Sequence, residues 1–160
     1  ILREWGKKLL LEADPSVNTT NHRALAGLLR MLDDERFGAI YDPGNDIYDP
    51  EGEKPYPDGY EAIAPYMGHI HIKDAVLGVN GPECVKVGTG LVDYPALLNR
   101  LMADGYDGWL SLETHYRKNA ALSEEQLRRP QGAGFTAGGW EATAESAAAL
   151  KELIRQVMEK

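Results

Sequence analysis

Short apolar runs alternate with amphipathic stretches along this chain, and the alternation predicts four strand–helix units. Residues 8–12, 37–42, 68–73 and 109–113 read as short buried strands. Leu25, Leu28, Leu29 and Leu32 recur at helical spacing, which predicts a helix over 21–34 with Asn21 or Thr20 at its N-cap. His22, at the opening of that helix, is expected on the surface. A short helix is expected over 58–67, with Asp58 as its cap. Asp93 and Pro95 open another helix over 94–103. Residues 140–160 read as an alanine-rich amphipathic helix with Leu150, Leu153, Ile154 and Val157 on one side. Between these lie a proline-rich loop over 45–57 and a loop over 74–93 with a small hairpin around Asn80-Gly81. A long polar stretch covers 114–139. Residues 1–7 read as the end of a helix stopped by Gly6. The chain has no initiating Met, so it is expected to begin inside an element. Alternating strands and helices imply the α/β class: one domain over 1–160 with a parallel sheet and right-handed crossovers.

Each strand run ends in a metal-ligand residue type: Glu12, Asp42, His71 and Glu113, spaced 30, 29 and 42 residues apart. Functional sites of parallel α/β folds lie at the carboxyl ends of the strands, so this repetition points to one divalent metal there. Three carboxylates and one imidazole suit Mn²⁺ or Mg²⁺ better than a thiolate-preferring structural zinc site. Without a dication, three neighbouring negative charges are costly, so the carboxylate pKa values are expected to be raised.

Composition narrows the partners. The 160 residues are 43% hydrophobic and 26% charged, as in an ordinary globular domain. A net charge of −8 argues against a nucleic-acid track, which calls for a basic face. The single Cys84 forms no internal disulfide and fits a reducing, cytoplasmic setting. No apolar run approaches the roughly 20 residues of a membrane span, and the first residues lack the order of a signal peptide.

Leu11-Glu12, Asp42-Pro43-Gly44-Asn45, His69-Ile70-His71-Ile72-Lys73-Asp74, Val87-Gly88-Thr89-Gly90 and Gly105-Tyr106-Asp107-Gly108-Trp109-Leu110-Ser111-Leu112-Glu113 resemble, in that order, the xylose-isomerase-like TIM barrels. That superfamily includes sugar phosphate isomerases and epimerases, ketose 3-epimerases, hydroxypyruvate isomerase, inosose dehydratase and endonuclease IV. The resemblance runs over nearly the whole chain and places it as the second half of a barrel, strands five to eight. A complete barrel needs about 250 residues. Open sheet edges invite pairing, so a homodimer that closes the sheet, or a missing N-terminal half, is expected.

The resemblance implies a single Mn²⁺ or Mg²⁺, with Co²⁺ or Zn²⁺ as alternatives, held by Glu12, Asp42, His71 and Glu113. It implies that the metal polarises a sugar or sugar phosphate and that Glu12 and Glu113 exchange a proton next to the carbonyl through an enediolate. His71 is preferred over His69 as ligand because the family's ligand lies nearer the strand end. Asn45, Lys73, His69 and His115 are candidate substrate contacts. His69 also reads as a satisfied core histidine, and Lys73 as a partner for Asp74. Asn45 stands where endonuclease IV has a zinc-binding histidine, which argues against a nuclease. Asn18 stands where epimerases often have a second glutamate. Gly88-Thr89-Gly90 and Gly138-Gly139 are candidate phosphate loops. Trp140, Tyr41 and Tyr116 are candidate stacking faces for a sugar, whereas Trp109 is expected in the core. An inosose-type dehydratase and a non-catalytic sugar- or metal-binding half-barrel are the alternative functions. A small doubly wound domain with the four ligand-type residues on its surface is the alternative fold.

Overall fold

The structure, a computed structural model, describes residues 1–117 and 138–159. Helix α1 (Leu2–Trp5) stops at Gly6, whose φ of 58° turns the chain, a conformation that costs glycine little. The next elements alternate: β1 (Leu9–Glu12), α2 (His22–Leu32) and β2 (Phe37–Tyr41). A short α3 (Pro43–Asp46) and a one-turn α4 (Tyr60–Ile63) precede β3 (Met67–Ile72). The hairpin β4 (Asp74–Gly78) and β5 (Gly81–Val85) follows, then α5 (Tyr94–Ala103), β6 (Leu110–Leu112) and α6 (Gly139–Met158). Strands β1, β2, β3 and β6 form one sheet in that order, with every pairing parallel. The hairpin forms its own antiparallel pair, with Asp74 opposite Val85.

Local chemistry sets most of these bounds. Asn21 caps α2 by accepting the Ala24 N–H at 2.8 Å, and Asp93 caps α5 by accepting the Ala96 N–H at 3.1 Å. The helix expected over 58–67 is instead broken into three pieces: a π-type turn (Pro55–Gly59), α4 and a 3₁₀ turn (Ala64–Tyr66). Within that span Pro65 lacks the N–H that a continuous helix would need, and Pro55 and Pro57 shape the turn that precedes it. Trp109 lies outside the core and is 81% exposed, because β6 begins one residue later. Leu28 and Leu32 also face outward, leaving His22, Leu25, Ala26 and Leu29 as the buried face of α2. Most of the stretch 114–139 lies outside the described residues. Among the described residues, no helix is long and apolar enough to cross a membrane.

One face of the sheet carries the core. Ile70 and Ile72 of β3 are fully buried with Ala39, Tyr41, Leu25, Ile63 and Leu97. Each such aliphatic side chain contributes about 1.5–3 kcal/mol. By the alternation of a strand, His69 and His71 face the opposite way. Two close approaches tie the helices to the end of β3. Gly44 of α3 abuts Lys73, where a Cβ would come 2.7 Å from the Lys73 carbonyl oxygen. The buried Tyr94 hydroxyl donates to the same carbonyl at 2.7 Å. Tyr94→Phe leaves that carbonyl short of a donor and is expected to cost about 1–2 kcal/mol, read as a lower urea midpoint.

Candidate functional site

Four strand ends converge. Glu12 closes β1, Asp42 follows β2, His71 lies near the end of β3, and Glu113 follows β6. The Glu113 N–H still donates to Ile72 O at 3.0 Å, so the pairing of β3 and β6 carries its side chain up to the same level. One ligand-type atom from each of these residues lies within 4.8 Å of all the others. His71 Nδ1 stands 3.3 Å from Glu12 Oε1 and 3.7 Å from Glu113 Oε2. Asp42 is fully buried, while the other three are partly open to solvent. Burial of Asp42 also argues against four separate surface groups.

Lys73 completes the arrangement. Its Nζ lies 2.8 Å from Asp42 Oδ2 and 2.7 Å from Glu113 Oε2. The pairing of Lys73 with Asp74, one of the two readings open from sequence, does not form. Asp74 instead accepts the N–H groups of Ala75, Gly88, Gly90 and Val92. Burial pushes Asp42 up to about 6, with Lys73 opposing the shift. Burial also pushes Glu113 upward, but the hydrogen bond and charge of Lys73, with smaller contributions from Asp42 and His115, together outweigh it and leave Glu113 below the usual glutamate value. Of these two carboxylates Asp42 is raised and Glu113 is not: Lys73 stands against both, but Asp42 is fully buried whereas Glu113 stays partly open to solvent. Burial disfavours the Lys73 charge, yet the two carboxylates beside it raise its pKa above an ordinary lysine.

The donor set fits a dication. Glu12, Asp42 and Glu113 bring three negative charges and Lys73 one positive, leaving a deficit that one divalent ion balances. Asp42 Oδ2 is buried and takes no aligned hydrogen bond, a state that polar atoms inside proteins rarely keep without a partner. Its contact with Lys73 is ionic. The other oxygen, Oδ1, accepts the Gly44 N–H at 2.9 Å, which leaves Oδ2 to the cluster.

The remaining sequence candidates divide. Asn45 Nδ2 donates to Glu12 Oε1 at 3.2 Å and to Ala13 O at 2.9 Å, so it braces the glutamate. His69 pairs with Ser111 Oγ at 2.9 Å and meets the His71 ring edge-on at 5.4 Å. His115 is more than half exposed, with Nε2 3.4 Å from Glu113 Oε1. Tyr41 offers no stacking face: it is buried and its hydroxyl donates to Pro55 O at 2.6 Å. Trp140 is 83% exposed. The Gly88 and Gly90 amides are turned onto Asp74, so this loop does not present them to a phosphate.

His22 is the clearest departure from the sequence reading. It is fully buried, bonded through Nδ1 to Asp46 and through Nε2 to the Asp42 backbone. Its place three residues before Leu25 and seven before Leu29 was the available signal, because that spacing puts it on the buried stripe. Asp46 carried no such signal, since it lies in a proline-rich stretch without periodicity.

A parallel βα array whose strand ends gather three carboxylates and an imidazole has the make-up of part of a β/α barrel with a candidate cation site. A sequence model of the xylose isomerase-like TIM barrel family matches residues 1–155, and the chain belongs to that family. No curated protein matches the sequence. Among solved structures, a xylose isomerase domain protein from Planctomyces limnophilus is similar at 22% identity and a TM-score of 0.69, over 99% of this chain and 49% of that one. A D-tagatose 3-epimerase-like protein is similar at 19% identity and a TM-score of 0.66, over 99% and 51%. A xylose isomerase-like TIM barrel protein from Mycobacterium smegmatis, in complex with magnesium, is similar at 18% identity and a TM-score of 0.63, over 97% and 46%. At these identities the likeness is one of fold. The chain spans about half the length of these structures.

Proposed function

We propose that the protein is a divalent-metal-dependent isomerase or epimerase that moves a proton next to the carbonyl of a sugar. The convergence of Glu12, Asp42, His71 and Glu113 within 4.8 Å carries this reading. These four residues would hold the ion, and the magnesium in the Mycobacterium smegmatis neighbour supports the choice of Mg²⁺ or Mn²⁺. When bound, the ion supplies Lewis-acid polarisation of the carbonyl and the adjacent hydroxyl.

The chain's own residues handle the proton. Glu12 and Glu113 arise from the two outer strands of the sheet, so they approach a sugar at the centre from opposite sides. One takes the proton and the other returns it. Lys73 keeps Glu113 in the carboxylate form, and Asn45 fixes Glu12. The Gly88 and Gly90 amides face Asp74 and the Thr89 amide faces Lys86 O, which supports a free sugar over a sugar phosphate at this loop. The outer edges of β1 and β6 are where the remaining barrel strands, or a second copy, would pair.

The test combines Mn²⁺ titration with incubation of ketoses in deuterated water. One Mn²⁺ per chain is expected, with Mn²⁺-dependent deuterium uptake at the carbon next to the carbonyl. His71→Ala should weaken Mn²⁺ binding by on the order of 100-fold, at or above the loss seen for residues that only brace a ligand. Unchanged Mn²⁺ affinity in both His71→Ala and Asp42→Asn would sink the reading. Net loss of water from the substrate would move the assignment to a dehydratase.

A further inference from the structure

Behind Asp42, the residues His22, Asp46 and Glu53 form a second group whose ligand-type atoms lie within 4.8 Å of one another. Its hydrogen bonding argues against a second cation. His22 Nε2 accepts the backbone N–H of Asp42 at 3.2 Å. A ring nitrogen that accepts carries no proton, so in the neutral ring the proton sits on Nδ1. Nδ1–H then donates to the Asp46 carboxylate, whose oxygens lie at 2.7 and 2.8 Å. Neither ring nitrogen keeps a lone pair for a metal. Glu53 Oε2 accepts the Arg23 N–H, and Asp49 Oδ2 accepts from Asn21 Nδ2 and the Glu53 N–H.

The pair is also rigidly housed. The His22 and Asp46 side chains are both 0% exposed. The imidazole packs edge-on against Tyr41 with centroids 4.7 Å apart. Gly59 backs onto Asp46 so closely that a Cβ there would collide with the carboxylate. Carboxylate–imidazole pairs of this kind fix tautomer and orientation.

We propose that His22 and Asp46 are positioning residues for Asp42, an assignment that rests on the metal reading of the site. Asp46 holds His22 in the Nδ1–H tautomer, and His22 Nε2 pins the Asp42 amide at the corner between β2 and α3. Together with the Gly44 N–H on Oδ1, this fixes Asp42 at two points and sets where Oδ2 stands.

Two measurements test it. Long-range ¹H–¹⁵N spectra of the unaltered protein should show His22 protonated on Nδ1 and bare on Nε2, whatever the variants do to folding. Mn²⁺ titration of His22→Ala should show affinity about 10–100-fold weaker. His22→Gln, which returns an acceptor oxygen near the Asp42 amide, should recover most of that loss. A protonated Nε2, or His22→Ala binding Mn²⁺ as tightly as the unaltered protein, overturns the proposal while leaving the metal site intact. No Mn²⁺ uptake by the unaltered protein removes the metal reading itself, and the role of the dyad with it.

Discussion

Glu113→Gln is expected to lower turnover by about 10²–10⁴-fold, the range lost when a positioned acid or base is removed. The change keeps the shape and deletes the charge. It removes the proton carrier proposed for one face of the sugar. It also leaves Lys73 Nζ, now 2.7 Å from Glu113 Oε2 and 2.8 Å from Asp42 Oδ2, with one carboxylate instead of two. Since Glu113 is also a proposed ligand, the effect must be split into two numbers. Mn²⁺ affinity should fall, and kcat at saturating Mn²⁺ should remain depressed. Glu12→Gln should behave alike, because the two glutamates share one proton-transfer cycle. Asn45→Ala should be milder and act through Glu12, whose Oε1 loses its amide donor. Full kcat in Glu113→Gln once Mn²⁺ is restored would show that Glu113 serves as a ligand and that the proton moves elsewhere.

Much of this site was legible because it follows the strands. A buried parallel strand is a continuous apolar run, and its carboxyl end is where the first polar side chain appears. Glu12, Asp42 and Glu113 could be picked out on that basis, whereas His71 was preferred over His69 through the family resemblance, and β1, β2, β3 and β6 bring the four ends to one level. Contacts that depend on the return path of the chain were not legible. Lys73 reads equally well as a partner of the adjacent Asp74. The choice of Asp42 and Glu113 is made by sheet order, which sets β3 between β2 and β6. Likewise, His22 reads as a surface residue from its polarity, and only its spacing to Leu25 and Leu29 signals the buried face where both ring nitrogens are satisfied. Trp109 shows the converse error. A large apolar residue at a strand start was assigned to the core on size alone, and it lies just outside β6, facing solvent.

Asp74→Ala is expected to remove about 3–5 kcal/mol of stability, at the upper end for a single substitution. Asp74 is 1% exposed, and its carboxylate gathers four backbone donors from both ends of a long loop. Ala75 and Val92 reach Oδ1 at 3.0 and 3.3 Å; Gly88 and Gly90 both reach Oδ2 at 2.9 Å. Hydrogen bonds to a charged acceptor contribute about 1.5–3 kcal/mol each, and orphaned buried donors add their desolvation cost. Part of that loss is recovered as water enters the space, which keeps the total below a simple sum. Gly90 packs directly against the carboxylate and has no side chain of its own, so it offers the freed amides no replacement acceptor. Asp74→Asn should fall between, because a carboxamide keeps one acceptor and turns an N–H₂ toward amides that also donate. Urea unfolding provides the measurement, and midpoints equal to that of the unaltered protein would refute the account. Damage should extend to the site without any change in its ligands. The same loop leads through Val92 to Tyr94, whose hydroxyl holds the Lys73 carbonyl. A loosened loop therefore frees the lysine that sets the charge balance at Asp42 and Glu113.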